Sequence, residues 1–235
     1  MRIITWNCQA GFVNKNKAAE IFAKDPDIAI IQECSKRDAE EIQHEGYSPL
    51  WFGNIPTKGL AIFCKSQWKL RPLAQPDHNV IVPIAVEGPE NFTLVAVWAC
   101  AVKGNMRESY VGLIHHALAA HPEWFNRGPV FMAGDFNSNS QFDKHRPVSN
   151  HSSLVAQLQA HGMISTYHFH HKEEQGKESR PTFYLYRKSD TRLHLDYIFM
   201  PSAWTARLNN FEVGDFSQWS SLSDHCPLTI DVASS

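Results

Sequence analysis

Ser223-Asp224-His225-Cys226-Pro227-Leu228, near the end of the chain, sets a carboxylate and an imidazole directly before an apolar run that reaches Val232. Four earlier segments are built alike: Thr5-Trp6-Asn7, Ile31-Gln32-Glu33, Gly134-Asp135-Phe136-Asn137 and Leu195-Asp196-Tyr197-Ile198. Each is a short apolar run that ends on, or encloses, carboxylate, amide or imidazole groups. A strand covered on both faces accounts for the apolar part, because neither face needs a polar residue. It does not account for the polar groups at the strand ends, which water or a ligand must satisfy.

These segments spread over a chain of 235 residues, and no linker, repeat or low-complexity stretch interrupts them. A hydrophobic fraction of 43% and a charged fraction of 20% supply a core and exclude a disordered chain. One α/β domain spanning residues 1–235 is therefore expected. The net charge of −2 provides no global cationic field for a polyanion, so such a partner would need a bound cation or a local basic patch. The five cysteines (Cys8, Cys34, Cys64, Cys100 and Cys226) are odd in number and form no C-x-x-C pair. They point away from zinc and redox motifs and towards a reducing compartment. No secretory h-region precedes the strand-like Ile3-Ile4-Thr5-Trp6, and no run approaches the roughly 18 apolar residues of a membrane span. A soluble cytoplasmic protein without a membrane partner is the expectation, with oligomeric state left open.

Periodicity places a strand over about Arg2–Cys8, a polar turn near Gly11–Asn16, a short helix over Lys17–Ala23 and a strand over Ile28–Gln32 that delivers Glu33. Further strands are predicted at Gly59–Lys65, Val80–Val86, Phe92–Ala101, Val130–Ala133, Ser165–His170, Thr182–Tyr186, His194–Met200 and Pro227–Val232. Helical spacing marks Glu108–His121 and about Ser153–His161, the latter with Ser152 or Ser153 as N-cap and Gly162 as its stop. Lys172–Ser179, charged and centred on Gly176, reads as a mobile loop.

Five motifs in this order resemble the exonuclease–endonuclease–phosphatase superfamily, and the resemblance runs from Met1 to about Val232. It implies a four-layer α/β/β/α sandwich, with two packed mixed sheets flanked by helices. It also implies Mg²⁺-dependent hydrolysis of phosphodiesters, with Mn²⁺ as a substitute and nucleic acid, DNA or RNA, as substrate. Mg²⁺ prefers oxygen ligands and uses one or two carboxylates beside substrate phosphate. By resemblance Asn7 and Glu33 anchor the metal with Asp224 nearby, and Asp135 orients or deprotonates the attacking water. Asn137 then donates to phosphate, while His225, backed by Asp196, stabilises developing charge. A carboxylate bonded to one imidazole nitrogen fixes the tautomer and favours imidazolium.

Departures from the family pattern narrow the substrate. Many members carry His or Tyr after the middle strand, where this chain reads Val97-Trp98-Ala99-Cys100; Lys103, Asn105 and Tyr110 suit either replacement of that group or an exposed loop or helix position. Abasic-site endonucleases usually have Asp where this chain has Gln9, and an aromatic where it has Leu193. Phe183 in Pro181-Thr182-Phe183-Tyr184 does resemble one wall of their pocket.

Alternation would put His168 and His170 on one strand face, as a polar edge or phosphate contact rather than a zinc site. Arg180, Arg187, Lys188 and Arg192 beside Tyr184 and Tyr186 suit either backbone contact with base stacking or a solvated hairpin. Lys103, His170, Arg180 and Phe183 are the candidate substrate contacts. Two other readings stand beside the nuclease: the same machinery acting on a small phosphoester, and an inactive nucleic-acid-binding module on this scaffold.

Overall fold

A computed structural model describes residues 1–13, 15–42, 46–73, 80–105 and 108–234. Asn14, in the expected polar turn, lies outside them.

The first half of the chain runs β1 (Arg2–Asn7), α1 (Lys17–Phe22), β2 (Ile28–Cys34), α2 (Lys36–Glu41), β3 (Tyr47–Ile55), β4 (Lys58–Lys65), β5 (Lys69–Pro72), β6 (Ile81–Glu87) and β7 (Phe92–Trp98). The second half continues with α3 (Val111–Ala120), β8 (Val130–Asp135), α4 (His151–Ala160), β9 (Met163–Ser165), α5 (Thr166–His171), β10 (Phe183–Tyr184), β11 (Arg192–Leu193), β12 (Asp196–Pro201), β13 (Leu208–Val213), α6 (Phe216–Trp219) and β14 (Leu228–Val232). Two six-stranded sheets result, ordered β13-β14-β1-β2-β4-β3 and β5-β6-β7-β8-β12-β9. Each is mixed, with one parallel pair at its centre, β1 with β2 and β7 with β8.

Strand residues alternate between two apolar environments. Ile3, Ile28, Ile30, Leu60 and Ile62 face the core shared with the second sheet. Ile4, Trp6, Ala29, Ile31, Ala61 and Phe63 face an outer cluster that holds Ala18, Ile21 and Phe22 of α1 and Ala39 of α2. Burial on both faces removes any need for polar alternation, which is why these strands read as continuous apolar runs. Val111, Leu113, Ile114 and Leu118 of α3 and Leu154 and Leu158 of α4 join the core of the second sheet. The layers are the expected α/β/β/α sandwich.

Gly134 is required by its neighbour. A Cβ there would lie 1.8 Å from the Val97 carbonyl oxygen, and its φ of +149° strains any L side chain. β8 can therefore run close beside β7 and carry Asp135 to the sheet end.

Three expectations are corrected. Ser165–His170 is a strand only as far as Ser165; Thr166–His171 forms α5. Buried Thr166 donates its hydroxyl to the Ile198 carbonyl at 2.8 Å, and Tyr167 packs on Phe211, so tertiary contacts override the aromatic, strand-like composition. The loop over residues 172–179 is tied down: Glu178 accepts from the Gly176 amide and from Asn139, and Glu173 accepts from Tyr167 and Ser179. α4 starts earlier than expected, capped by Asn150, whose side chain accepts from Ser153 N–H while Ser153 Oγ accepts from Asn150 N–H. α2, β3, β5, β11, β13 and α6 have no counterpart among the expected elements.

Candidate active site

The site forms where the central strands of both sheets end. β1 delivers Asn7, and its parallel register with β2 pairs Asn7 with Gln32. Glu33 is the next residue, unpaired in a bulge between Gln32 and Cys34, with φ of +61°. Such a bulge re-aims a side chain that would otherwise follow the alternation of its strand. From the second sheet, Asp135 and Asp196 are register partners at the ends of β8 and β12. The His225 backbone bridges Phe183, and Trp6 Nε1–H donates to the His225 carbonyl at 2.8 Å.

Short side-chain turns fix the local geometry. Asn137 N–H donates to Asp135 Oδ1 at 2.9 Å, Gln9 N–H to Asn7 Oδ1 at 3.0 Å, and His225 N–H to Ser223 Oγ at 3.1 Å. Asp135 and Asn137 therefore converge through a turn, with Asn137 at φ +46°. Phe136 points the other way, fully buried against Tyr197 and Phe199.

Asp135, Asp196 and His225 are all buried, and their ligand atoms lie within 4.8 Å of one another. His225 Nδ1–H donates to Asp196 Oδ2 at 2.8 Å. Thr182 Oγ1 holds the other partner by accepting from Leu195 N–H and Asp196 N–H. Burial raises the Asp135 carboxyl to about 7, although His225 and the Asn7 amide pull it down. Burial would lower His225, but the carboxylates of Asp196 and Asp135 prevail and raise it to about 10. The imidazole is thus held as a cation, with Nε2–H as its uncommitted donor. Asp196 Oδ1 is buried without a protein partner, which marks a place for a donor from a ligand or water.

This triad is a poor cation cage. An imidazolium offers no lone pair, and Asp196 is already committed to it. Asn7 and Glu33 suit a hard divalent ion better, as an amide oxygen and a carboxylate on adjacent strand ends. Lys58 Nζ lies 3.0 Å from Glu33 Oε2 and over the Trp98 ring, so positive charge beside Glu33 is already favoured. Asp224 is half-buried and accepts from Gln9 Nε2 at 2.8 Å. Gln9 Oε1 in turn accepts from the Arg187 guanidinium. Asp224 therefore sits at the rim within a neutral-amide and guanidinium chain.

The other predicted positions divide. Phe183 lies against the His225 ring, with centroids 4.8 Å apart. Asn137 is at the site, but its amide N–H groups are donated inward, to the Ala99 carbonyl and Asp135 Oδ2. A phosphate contact from this amide requires one of those bonds to open. Lys103 is exposed in the turn that follows β7. Arg180 is paired with Asp215 at 2.8 Å and also donates to the Val213 carbonyl. His170 lies exposed on α5, where its ring meets His171 and Phe211; the strand face assumed for it is corrected to a helix.

Sequence reasoning missed Lys58, Thr182 as the clamp on Asp196, and Lys17. The last is fully buried, with Nζ donating to the carbonyls of Cys8 and Ala10. It secures the loop that follows Asn7. Its only sequence signal was a lysine on the helix face shared with Ile21.

A four-layer sandwich that gathers carboxylates, an imidazolium and amides at its strand ends defines a class, the hydrolases of phosphate esters. Residues 4–225 match the Endonuclease/Exonuclease/phosphatase family, and the chain belongs to it. No curated protein matches. Among solved structures, the chain is similar to a 3'-5' exonuclease, NExo, from Neisseria meningitidis (20% identity, 99% of each chain covered, TM-score 0.73). It is similar also to the AP endonuclease LMAP from Leishmania major (17% identity, 98% of this chain and 87% of that one, TM-score 0.74). The endonuclease domain of TRAS1, a telomere-specific non-LTR retrotransposon, matches at 18% identity, covering 99% of this chain and 98% of that one, with TM-score 0.68.

Proposed function

We propose that the protein is a divalent-metal-dependent nuclease that hydrolyses phosphodiester bonds of nucleic acid by in-line attack of water. The observation that carries this reading is the buried Asp135–Asp196–His225 cluster beside the Asn7–Glu33 strand ends, in a chain of this family. Mg²⁺, or Mn²⁺ in its place, would be held by Asn7 and Glu33, with Asp224 near, and would neutralise charge on the non-bridging oxygens of the phosphate. Asp135, lifted by burial towards neutrality, orients the water and takes its proton. His225 presents Nε2–H to the phosphate oxygen on which charge accumulates, and Asp196 holds the ring in that orientation. Asn137 keeps Asp135 turned towards the phosphate through its amide and backbone bonds.

Phe183 lines the wall beside His225, and the hairpin of Arg187, Lys188 and Arg192 supplies local positive charge on a chain whose net charge is −2. Gln9 and Leu193 in place of Asp and an aromatic weigh against specificity for abasic sites. Solved relatives include a NExo variant bound to a product DNA hairpin, which favours a nucleic-acid substrate here. Residues 1–235 act as one domain. No helix among the described residues is long and apolar enough to cross a membrane, and all five cysteines are free, both compatible with a cytoplasmic setting.

The test incubates purified protein with plasmid, single-stranded DNA and RNA in Mg²⁺, Mn²⁺ or EDTA over a salt series. Metal-dependent cleavage that weakens steeply with salt is expected. Absence of cleavage of every polymer, with metal-dependent turnover of a small phosphoester insensitive to salt, would replace this reading.

A further inference from the structure

Beside Asn137 the molecule opens into a cavity of about 810 Å³. Ligand pockets span roughly 300–1,000 Å³. The walls come from three regions: Tyr110 at the start of α3, the connection from β8 to α4 with Phe142, Arg146 and Val148, and Leu195, which immediately precedes Asp196.

The hydrolytic chemistry does not use these residues. Phe142, 39% exposed, and Val148, 75% exposed, line the same cavity, and exposed apolar side chains grouped in this way mark a binding surface. Tyr110 holds φ +54° and ψ −126°, a conformation foreign to a bulky residue, which persists only where the surroundings over-determine it. The surroundings do so here. Tyr110 N–H donates to the Cys100 carbonyl at 2.9 Å, and buried Ser109 ties its hydroxyl to Val102 and Asn105. From the opposite wall, Arg146 Nη1 donates to the Ser109 carbonyl at 2.9 Å. Two separate loops are thus locked together in an arrangement that keeps an aromatic-walled hollow open beside the catalytic turn.

We propose that this cavity receives the unpaired nucleobase of the nucleotide attached to the scissile phosphate, packed against Tyr110 and Phe142. The proposal rests on the nuclease reading of the site. Three observations select a base as occupant. Asn137 and Leu195 are shared between the cavity and the Asp135–Asp196 site, so whatever fills it is joined closely to the reacting phosphate. Aromatic walls grip the face of any base, independent of sequence. Finally, a chain of net charge −2 draws little affinity from a cationic field, so stacking must supply more of it. A base inside a duplex is already stacked and cannot enter without flipping out, so single-stranded or frayed ends are the favoured substrates.

The first experiment needs no variant. Wild-type protein cleaves oligonucleotides in which one nucleotide beside the scissile bond carries a base or an abasic spacer. Loss of the base should raise KM on the order of tenfold, with a smaller change in kcat. Equal KM for both overturns the proposal while leaving the nuclease reading intact. The second experiment reads binding alone. Inert Asp135→Asn protein is titrated with an oligonucleotide carrying 2-aminopurine at that position, whose fluorescence falls on stacking. Quenching should persist with Phe142→Tyr and disappear with Tyr110→Ala or Phe142→Ala. Quenching that survives both alanine variants defeats the base pocket. If no polymer is cleaved but the quenching pattern holds, base binding in the cavity survives, while the nuclease reading fails and with it the link to a scissile phosphate.

Discussion

Asp135, Asp196 and His225 are almost wholly withdrawn from water, whereas Glu33, Gln9, Asp224 and Arg187 lie half-open at the rim of the same site. In the buried half, ionisation is set by neighbours: burial lifts Asp135, and two carboxylates hold His225 charged. In the open half, each charge already has a partner it can exchange, Lys58 for Glu33 and Gln9 for Asp224. The difference is one of reorganisation. Fixed, dry groups stabilise charge without moving, and exchangeable partners can give way to an arriving cation or phosphate.

Substitutions in the buried half should therefore remove rate and little else. Asp135→Asn keeps the shape of a side chain with no exposed surface but cannot accept a proton. Initial rates should fall about 10³- to 10⁴-fold. The melting temperature should fall by only a few degrees, because the amide oxygen can still accept from Asn137 N–H whereas its NH2 faces the Asn7 and Asn137 amide donors. A variant within tenfold of wild type would place the base elsewhere. His225→Ala should lose a comparable factor, since it removes the only imidazole of the cluster.

The same dryness makes this half sensitive to acid. His194, two residues before Asp196, is buried, donates Nδ1–H to the Arg180 carbonyl and leaves Nε2 without a partner. Burial lowers it to about 4 from a usual 6.5. The unfolded chain then takes up a proton at a higher pH than the folded one. Stability is complete above pH 6.5 and declines as pH falls towards 4, by on the order of 3 kcal/mol. Glu178, held down to about 2 by bonds from His168, the Gly176 amide and Asn139 despite its burial, adds a further loss below about pH 4.5. Urea melts of wild type and His194→Asn at pH 7 and 4.5 check the first part. The variant should lose much less stability between the two, and parallel losses would exonerate His194.

The buried half was also the more legible in sequence. Apolar runs that end in Asn7 and Asp135, or that begin just after Asp196 and His225, announce strands covered on both faces, and their polar termini have no other use. The open half was hidden because its contacts are non-local or depend on backbone irregularity. Nothing in Ile31-Gln32-Glu33-Cys34 signals the bulge that turns Glu33, and Lys58 meets it only through the register of β2 with β4. Gln9 was visible only as a departure from a pattern, and its bonds to Asp224 and Arg187 span most of the chain. Edge strands such as β13, with the sequence LNNFEV, carry too little apolar periodicity to stand out. Thr166–His171 failed for a different reason: its aromatics and imidazoles favour a strand locally, and packing against β12 and β13 decides otherwise.

Smaller and rescuable effects belong to the open half. Glu33→Gln removes the carboxylate expected to hold the cation and leaves a neutral oxygen. The Mg²⁺ concentration for half-maximal rate should rise about 10- to 100-fold, as for loss of one charged ligand in a hard-cation site. Saturating Mg²⁺ should restore most of kcat. A loss of kcat that metal cannot rescue would move Glu33 into the chemistry and erase the contrast between the halves.

Arg187 should matter least for rate and most for salt. Its guanidinium reaches Gln9 and the carbonyls of Ser221 and Leu222, next to Asp224, and it sits beside exposed Tyr186 on the hairpin that carries Phe183. A cation at this rim can meet a phosphate flanking the one being cleaved, but it contacts none of the triad. Arg187→Ala should raise KM for an oligonucleotide several-fold, leave kcat nearly unchanged, and lower the slope of log(kcat/KM) against log[salt] by about 1, the value for one phosphate contact. Because Gln9 would lose its guanidinium partner, the double variant Gln9→Ala/Arg187→Ala separates two roles. If Arg187 acts on substrate, the salt slope of the pair should equal that of Arg187→Ala alone. A slope that changes only when Gln9 is removed would make Arg187 a support for the Gln9–Asp224 link, and the rim would then owe its affinity to other cations of the hairpin.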